Sequence, residues 1–116
     1  MRNAVEYLIS NNYIDEELLK NITSAQWCRK VLHLNHPFFK EIDEKKSLLE
    51  QRRDEKGRAR YWDILFSVGS KKYVVCKEWF ERQRQYFVPW YEKTINNAKS
   101  EAIYKKNKPI GLRNLF

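Results

Sequence analysis

The chain has 116 residues, of which 42% are hydrophobic and 33% charged, and its net charge is +8. This length and composition predict one folded domain and argue against a disordered chain. No run of about 20 apolar residues is present, and the N-terminus has no apolar run of about 7–15 residues. We therefore expect neither a membrane span nor a signal peptide, and a cytoplasmic location with nucleoid association as an open alternative.

Three short helices are expected at the start of the chain. Residues 3–10 place their apolar side chains on one helical face. Asp15 can cap a second helix, residues 15–22, because its carboxylate accepts hydrogen bonds from the free N–H groups of the first turn. A third helix, residues 25–34, follows a Thr-Ser pair that can cap it. It ends before Pro37, since the residue preceding a proline is disfavoured in the α region.

The segment between the helices and the first strand is less regular. Phe38, Phe39 and Ile42 are expected to pack as a turn or a short helix. Residues 43–58 are dense in charge and predict either a solvated helix or a mobile loop, with its Leu-Leu pair anchoring at least one turn.

Residues 60–76 predict a β-hairpin. Apolar and polar side chains alternate along residues 60–68, as in a half-buried strand, and the chain returns along residues 71–76. The Gly-Ser pair between these strands suits a two-residue turn of type II′. The expected register places Phe66 opposite Tyr73, Ile64 opposite Val75 and Leu65 opposite Val74.

A C-terminal helix with a broad aromatic stripe is expected to begin at Glu78. Proline lacks the N–H that a helix needs, so Pro89 predicts a break near Val88 and a second helix that runs to about Tyr104. Residues 105–116 form a basic tail, which we expect to be loosely ordered.

This element order predicts the fold class. Three N-terminal helices, a hairpin at about residues 60–76 and C-terminal helices make a small α+β domain over residues 1–104. The same order is found in winged-helix domains, although no motif in the chain is specific to one family. In that arrangement the second and third helices form a helix–turn–helix, and the third presents its polar face to a partner.

The distribution of charge predicts an anionic partner. Residues 1–58 carry a net charge of +1, and residues 59–116 carry +7. Three of the four Trp residues lie among Arg and Lys in residues 58–93. Basic stretches with interleaved aromatic residues are typical of nucleic-acid binding, and we expect DNA rather than RNA. No nucleophile elbow, phosphate-binding loop or HExxH motif is present, so we expect no enzymatic activity.

The candidate contacts come from several segments. Arg and Gln are the residue types that read bases with two hydrogen bonds, whereas Lys and Arg contact phosphates by charge. The run at residues 52–60 has a net charge of +3 and is either a loop that orders against a phosphate backbone or a solvated connector. The nucleic-acid-binding candidates are Gln26, Arg29, Lys30, His33, Arg58, Arg60, Lys71, Lys72, Arg82 and Arg84.

No cofactor or metal ion is expected. Cys28 and Cys76 lie in apolar patterns, which favours reduced and buried thiols. His33 and His36 follow Cys28 closely, but the pair of cysteines two to four residues apart that structural zinc sites use is missing.

Other interpretations remain open at this stage. Each basic segment also fits an ordinary solvated surface, and lysines at a hairpin tip also prevent edge-to-edge aggregation. The aromatic residues fit a core as well as a stacking surface. The alternative function is a small protein–protein interaction module, such as a phage-type inhibitor or an immunity protein. Binding of single-stranded RNA by exposed rings is a third reading.

Overall fold

The computed structural model describes residues 1–54, 56–77, 79 and 81–107, with side chains described as far as residue 100. The chain forms a small α+β domain in which helices pack on a three-stranded antiparallel sheet. In chain order the elements are α1 Arg2–Ser10, α2 Glu16–Ile22, α3 Ala25–Leu32, β1 Phe39–Glu41, α4 Leu48–Gln51, β2 Phe66–Val68, β3 Lys71–Val75 and α5 Glu81–Asn107.

The two helix starts predicted from capping residues are confirmed. The Asp15 side chain accepts a hydrogen bond of 2.8 Å from the Leu18 N–H at the start of α2. The Ser24 hydroxyl accepts one of 3.2 Å from the Trp27 N–H at the start of α3. Two residues separate α2 from α3. These caps satisfy N–H groups that have no partner within the helix, so local sequence was enough to place both helices.

The end of α3 differs from the prediction. The helix stops at Leu32, two residues early, because His33 adopts a left-handed backbone with φ 57°. The N–H groups of His33 and Leu34 both donate hydrogen bonds to the Cys28 carbonyl. A left-handed conformation is unfavourable for a residue other than glycine, so neighbouring contacts must hold it.

Residues 38–42, predicted as a turn or short helix, instead contain the strand β1. Phe39 is fully buried and pairs with Val75 of β3, and the sheet order is β1-β3-β2. This places β3 at the centre and makes the predicted hairpin one half of a larger sheet. No long alternation of apolar and polar residues marks this strand, because β1 has only three residues.

The hairpin register is confirmed at its tip and wrong further down. Phe66 pairs with Tyr73, as predicted, and Gly69 has the positive φ of 63° that the turn requires. The predicted pairing would continue with Asp63 opposite the buried Cys76. Instead Tyr61 pairs with Cys76, so two extra residues bulge out. The bulge gives the buried position to an aromatic ring and leaves Asp63 exposed.

The predicted helix break at Val88 is also wrong. Helix α5 continues through Pro89 to Asn107, past the predicted tail boundary at residue 105. Packing on both sides of the proline holds the helix together, since Phe87 is buried and Trp90 contacts Trp27 with a ring separation of 5.7 Å. Pro89 itself is exposed, so water can hydrate the carbonyl that it leaves unpaired. The predicted start at Glu78 and residues 108–116 lie outside the described residues.

Most described aromatic side chains pack in or against the core. Phe38 is fully buried, and its ring lies 5.0 Å from Trp79 and 6.1 Å from Phe87. Cys28 and Cys76 are both free thiols and buried, as predicted. Burial raises the pKa of the Cys28 thiol to about 11. Among the described helices, none has the length and apolar character needed to cross a membrane.

Candidate functional site

The polar face of α3 is exposed, as the sequence predicts. Cys28 and Leu32 lie one turn apart on the buried side and direct the opposite face outward. The predicted contact residues on this face are all exposed: Gln26, Arg29, Lys30 and His33.

Helix α5 fixes the end of this face. The Gln83 amide donates a hydrogen bond of 3.3 Å to the His33 carbonyl, and the Tyr86 ring stacks on the imidazole at 3.6 Å. Gln83 is only 2% exposed. These two contacts hold the left-handed backbone at His33 and cover one face of its ring. One face of the imidazole is therefore unavailable to a partner, whereas Gln26, Arg29 and Lys30 are exposed.

The lysines at the hairpin tip are paired with carboxylates. Lys71 lies 3.3 Å from Glu41, and Lys72 lies 3.3 Å from Glu44. All four side chains are exposed, so the pairs add little stability, but each carboxylate offsets the charge that a phosphate would meet. The tip is therefore a weaker candidate than its sequence indicated.

The two predicted contacts on α5 lie near its start. Arg84 lies 3.9 Å from Glu81, which partly offsets its charge, and Arg82 is exposed. Neither residue lines the groove described below.

The basic loop that follows α4, residues 52–60, has one carboxylate, that of Asp54, as the main acceptor of its hydrogen bonds. One Asp54 oxygen accepts hydrogen bonds of 2.9 Å from the N–H groups of Lys56 and Arg58. The other accepts one of 2.8 Å from the Arg60 guanidinium. Gly57 allows the sharp turn because its φ of 81° is unfavourable for other residues. These contacts give the loop a defined conformation, and both alternatives for residues 52–60, a loop that orders against a phosphate backbone and a solvated connector, stay open.

The Arg60 guanidinium lowers the pKa of Asp54 from 3.8 to about 2, with help from the two N–H groups. The folded pKa lies below the unfolded value, so the ionised carboxylate stabilises the fold above about pH 4. That stabilisation should disappear as the pH falls through about 2. We expect Asp54→Asn to flatten the dependence of the unfolding midpoint on pH across this window, measured by urea denaturation.

The matched control for this experiment is Asp63→Asn, which changes an exposed aspartate outside the loop. It should leave the acid dependence as in the wild type. If the urea unfolding midpoint depends on pH equally in Asp54→Asn and in the wild type, Asp54 does not order the loop.

A groove of about 610 Å³ connects this loop with α3 and β1. Arg29 comes from α3, Lys40 from β1, and the remaining cations come from the loop. Five cationic side chains line the groove against the single carboxylate of Asp54, which leaves a net charge of +4 with histidine neutral. The lining residues are Arg29, Asn35, His36, Pro37, Lys40, Arg53, Asp54, Lys56, Arg60 and Tyr61.

The inner wall of the groove is held in place by hydrogen bonds. Tyr61 is 3% exposed, and its hydroxyl donates a bond of 3.0 Å to the Pro37 carbonyl. Burial raises the pKa of this hydroxyl far above its ordinary value, so it remains a donor. The half-buried Lys40 ammonium donates a bond of 2.8 Å to the Gln51 carbonyl and lies 5.6 Å from the Tyr61 ring centre.

The outer cations of the groove are exposed and unpaired. Among the side chains described in residues 1–54, 56–77, 79 and 81–100, no carboxylate lies within 4 Å of Arg29, Arg53 or Lys56. This distinguishes them from the hairpin lysines and from Arg60. The groove therefore concentrates cations whose charge is available to a ligand.

The structure brings two of the ten predicted contact residues, Arg29 and Arg60, into the groove. Arg58 belongs to the same loop without lining the groove, and the other α3 candidates lie on the adjoining helix. Sequence reasoning missed Asn35, His36, Lys40 and Tyr61. Lys40 could have been predicted only if β1 had been recognised as a strand, because that strand pairs Lys40 with Val74.

Comparisons with models of protein families, with curated proteins and with solved structures find no match to this chain. The residues that line the groove indicate which ligands it can bind. Its lining consists mainly of cations and hydrogen-bond donors, and the oxygens of its single carboxylate are already engaged. In the described part of the chain, no group of three or more His, Cys, Asp or Glu residues is arranged to hold a metal ion. Such a groove can bind anions.

Proposed function

We propose that this protein is a non-enzymatic nucleic-acid-binding protein that docks on double-stranded DNA through the basic groove and the exposed face of α3. The observation that carries the proposal is the convergence of the exposed Arg29, Arg53 and Lys56, which have no carboxylate partner among the described side chains, beside the half-buried Lys40. Unpaired cations from separate segments gain most from a polyanion, because each phosphate contact releases bound counterions. A location with cellular DNA, in the cytoplasm or nucleoid, follows from this proposal.

A winged-helix-like fold, which we infer from the order of the elements, supports the same proposal. The two-residue turn between α2 and α3 and the hairpin of β2 and β3 are the parts that such a domain needs. The phosphate contacts that a wing tip usually provides come from the groove in this proposal, because Lys71 and Lys72 at the tip are paired with carboxylates. Arg29 belongs to both α3 and the groove, so one bound duplex can contact the helix face and the loop together.

The aromatic residues favour duplex binding over single-strand binding. Stacking on unpaired bases requires open ring faces. Three tryptophans are half-buried against the core: Trp62, Trp79 and Trp90. The ring of the exposed Tyr86 stacks on one side against the His33 ring. These four rings therefore offer little surface for stacking, and backbone electrostatics is the stronger source of affinity.

The proposal is tested by measuring affinity against salt with a random duplex, using fluorescence anisotropy. The four groove cations other than Arg60 predict that log affinity falls with log salt at a slope of about −3.6. A single-stranded oligonucleotide of the same length should bind more weakly. Absence of duplex binding at about 50 mM salt would contradict the proposal and favour the protein-partner alternative.

A further inference from the structure

Lys40 is the groove residue whose surroundings are least usual for a charged side chain. Its side chain is half-buried, and its ammonium has one carbonyl and one aromatic ring as neighbours. No carboxylate among the described residues lies within 4 Å of it. Partly desolvated charges are usually paired, because removal from water is costly. An unpaired ammonium at the inner wall therefore points to an anion that enters the groove.

The shape of the groove limits which anion can reach Lys40. A volume of about 610 Å³ lies in the range of pockets that enclose small ligands. A continuous duplex is far larger than this volume, so most of it must lie outside the groove. The end of a strand is narrower and can place its last phosphate group inside. Arg29, Arg53 and Lys56 at the rim would then meet the neighbouring phosphates of the same strand.

The charge of the groove favours a terminal phosphate over an internal one. An internal phosphodiester carries one negative charge, whereas a phosphomonoester carries about 1.5 to 2 at neutral pH. A groove with a net charge of +4 attracts the occupant with the larger negative charge more strongly. Guanidinium groups also bind phosphate oxygens in pairs, which three free oxygens accept better than two.

We infer that the groove binds the terminal phosphomonoester of a nucleic-acid strand, with Lys40 as the contact at its inner wall. This inference rests on the proposed function and adds a preference for phosphorylated strand ends. In this arrangement the rim cations hold the backbone that leads to the end, and the helix face of α3 lies against the adjoining duplex.

The test compares duplexes of one sequence that carry a 5′-phosphate, a 3′-phosphate or only hydroxyl ends. We expect at least one phosphorylated duplex to bind about tenfold more tightly than the hydroxyl duplex. Lys40→Met should abolish that preference and retain most of the remaining affinity. Lys72→Met, which removes a paired lysine outside the groove, should retain both. Arg53→Gln changes an exposed residue and should reduce the preference without risk to the fold.

The outcomes separate this inference from the proposed function. Equal binding of all three duplexes, still weakened by Arg53→Gln, would overturn the terminal-phosphate assignment and leave nucleic-acid binding intact. Absence of binding to every duplex would overturn both. Adenosine monophosphate is the probe for a free nucleotide. If it competes as strongly as the phosphorylated duplex, the site is a nucleotide pocket and the strand-end assignment is wrong.

Discussion

Replacing the three exposed groove cations by glutamine, in Arg29→Gln/Arg53→Gln/Lys56→Gln, should weaken duplex binding about 100-fold at moderate salt. Each phosphate contact contributes about 1 kcal/mol, and about 1.4 kcal/mol corresponds to a factor of ten. The slope of log affinity against log salt should become shallower by about 2.7, because three fewer phosphates are neutralised. Anisotropy titrations at several salt concentrations measure both effects.

The control removes the same amount of charge from outside the groove. Lys71→Gln/Lys72→Gln/Arg84→Gln replaces three exposed cations that already have carboxylate neighbours. We expect a loss of less than about fivefold, since their fields are partly offset before binding. If both triple variants lose the same affinity, binding follows net charge alone and the groove has no special role.

Phe38→Ala should reduce the free energy of unfolding by about 3–5 kcal/mol. The Phe38 ring is fully buried and makes edge contacts with Trp79, Phe87 and Trp90 at centroid distances of 5.0 Å, 6.1 Å and 6.2 Å. Truncation would remove these contacts and leave a cavity where α5 meets the sheet. Natural domains have total stabilities of about 5–15 kcal/mol, so this variant should be close to unfolding. Urea denaturation followed by Trp fluorescence measures the change.

Two companion variants calibrate this prediction. Phe38→Leu keeps most of the buried volume and should cost about 1–2 kcal/mol. Leu49→Ala shortens a side chain that is 53% exposed and should change the free energy by less than about 0.5 kcal/mol. A cost below about 1 kcal/mol for Phe38→Ala would mean that the aromatic cluster does not form the core.

Local chemistry made the N-terminal helices predictable. Asp15 and Ser24 cap their helices through hydrogen bonds that span three residues, and such contacts can be read directly from sequence. The hairpin tip was predictable for the same reason, since the turn and the pairing of Phe66 with Tyr73 are close in sequence. Elements that depend on distant partners were missed. Strand β1 is too short to recognise without β3, and packing against the core carries α5 through Pro89.

The candidate site was only partly predictable, because charge is visible in a sequence and pairing is not. Lys71 looked free, but Glu41, its partner, lies 30 residues earlier on a strand that was not expected. Arg60 looked free as well, but Asp54 holds its guanidinium. Arg29 was chosen for the correct helix face, whereas Lys40 required the fold. The groove itself exists only after β1, the loop and α3 come together.

The most direct test of the groove is amide NMR mapping during titration with a random DNA duplex. The groove predicts that the largest shifts fall on Arg29, residues 35–40 and residues 53–61, with smaller shifts at the hairpin tip around Gly69. Shifts centred on the tip, or spread evenly over all basic surfaces, would contradict the assignment of binding to the groove.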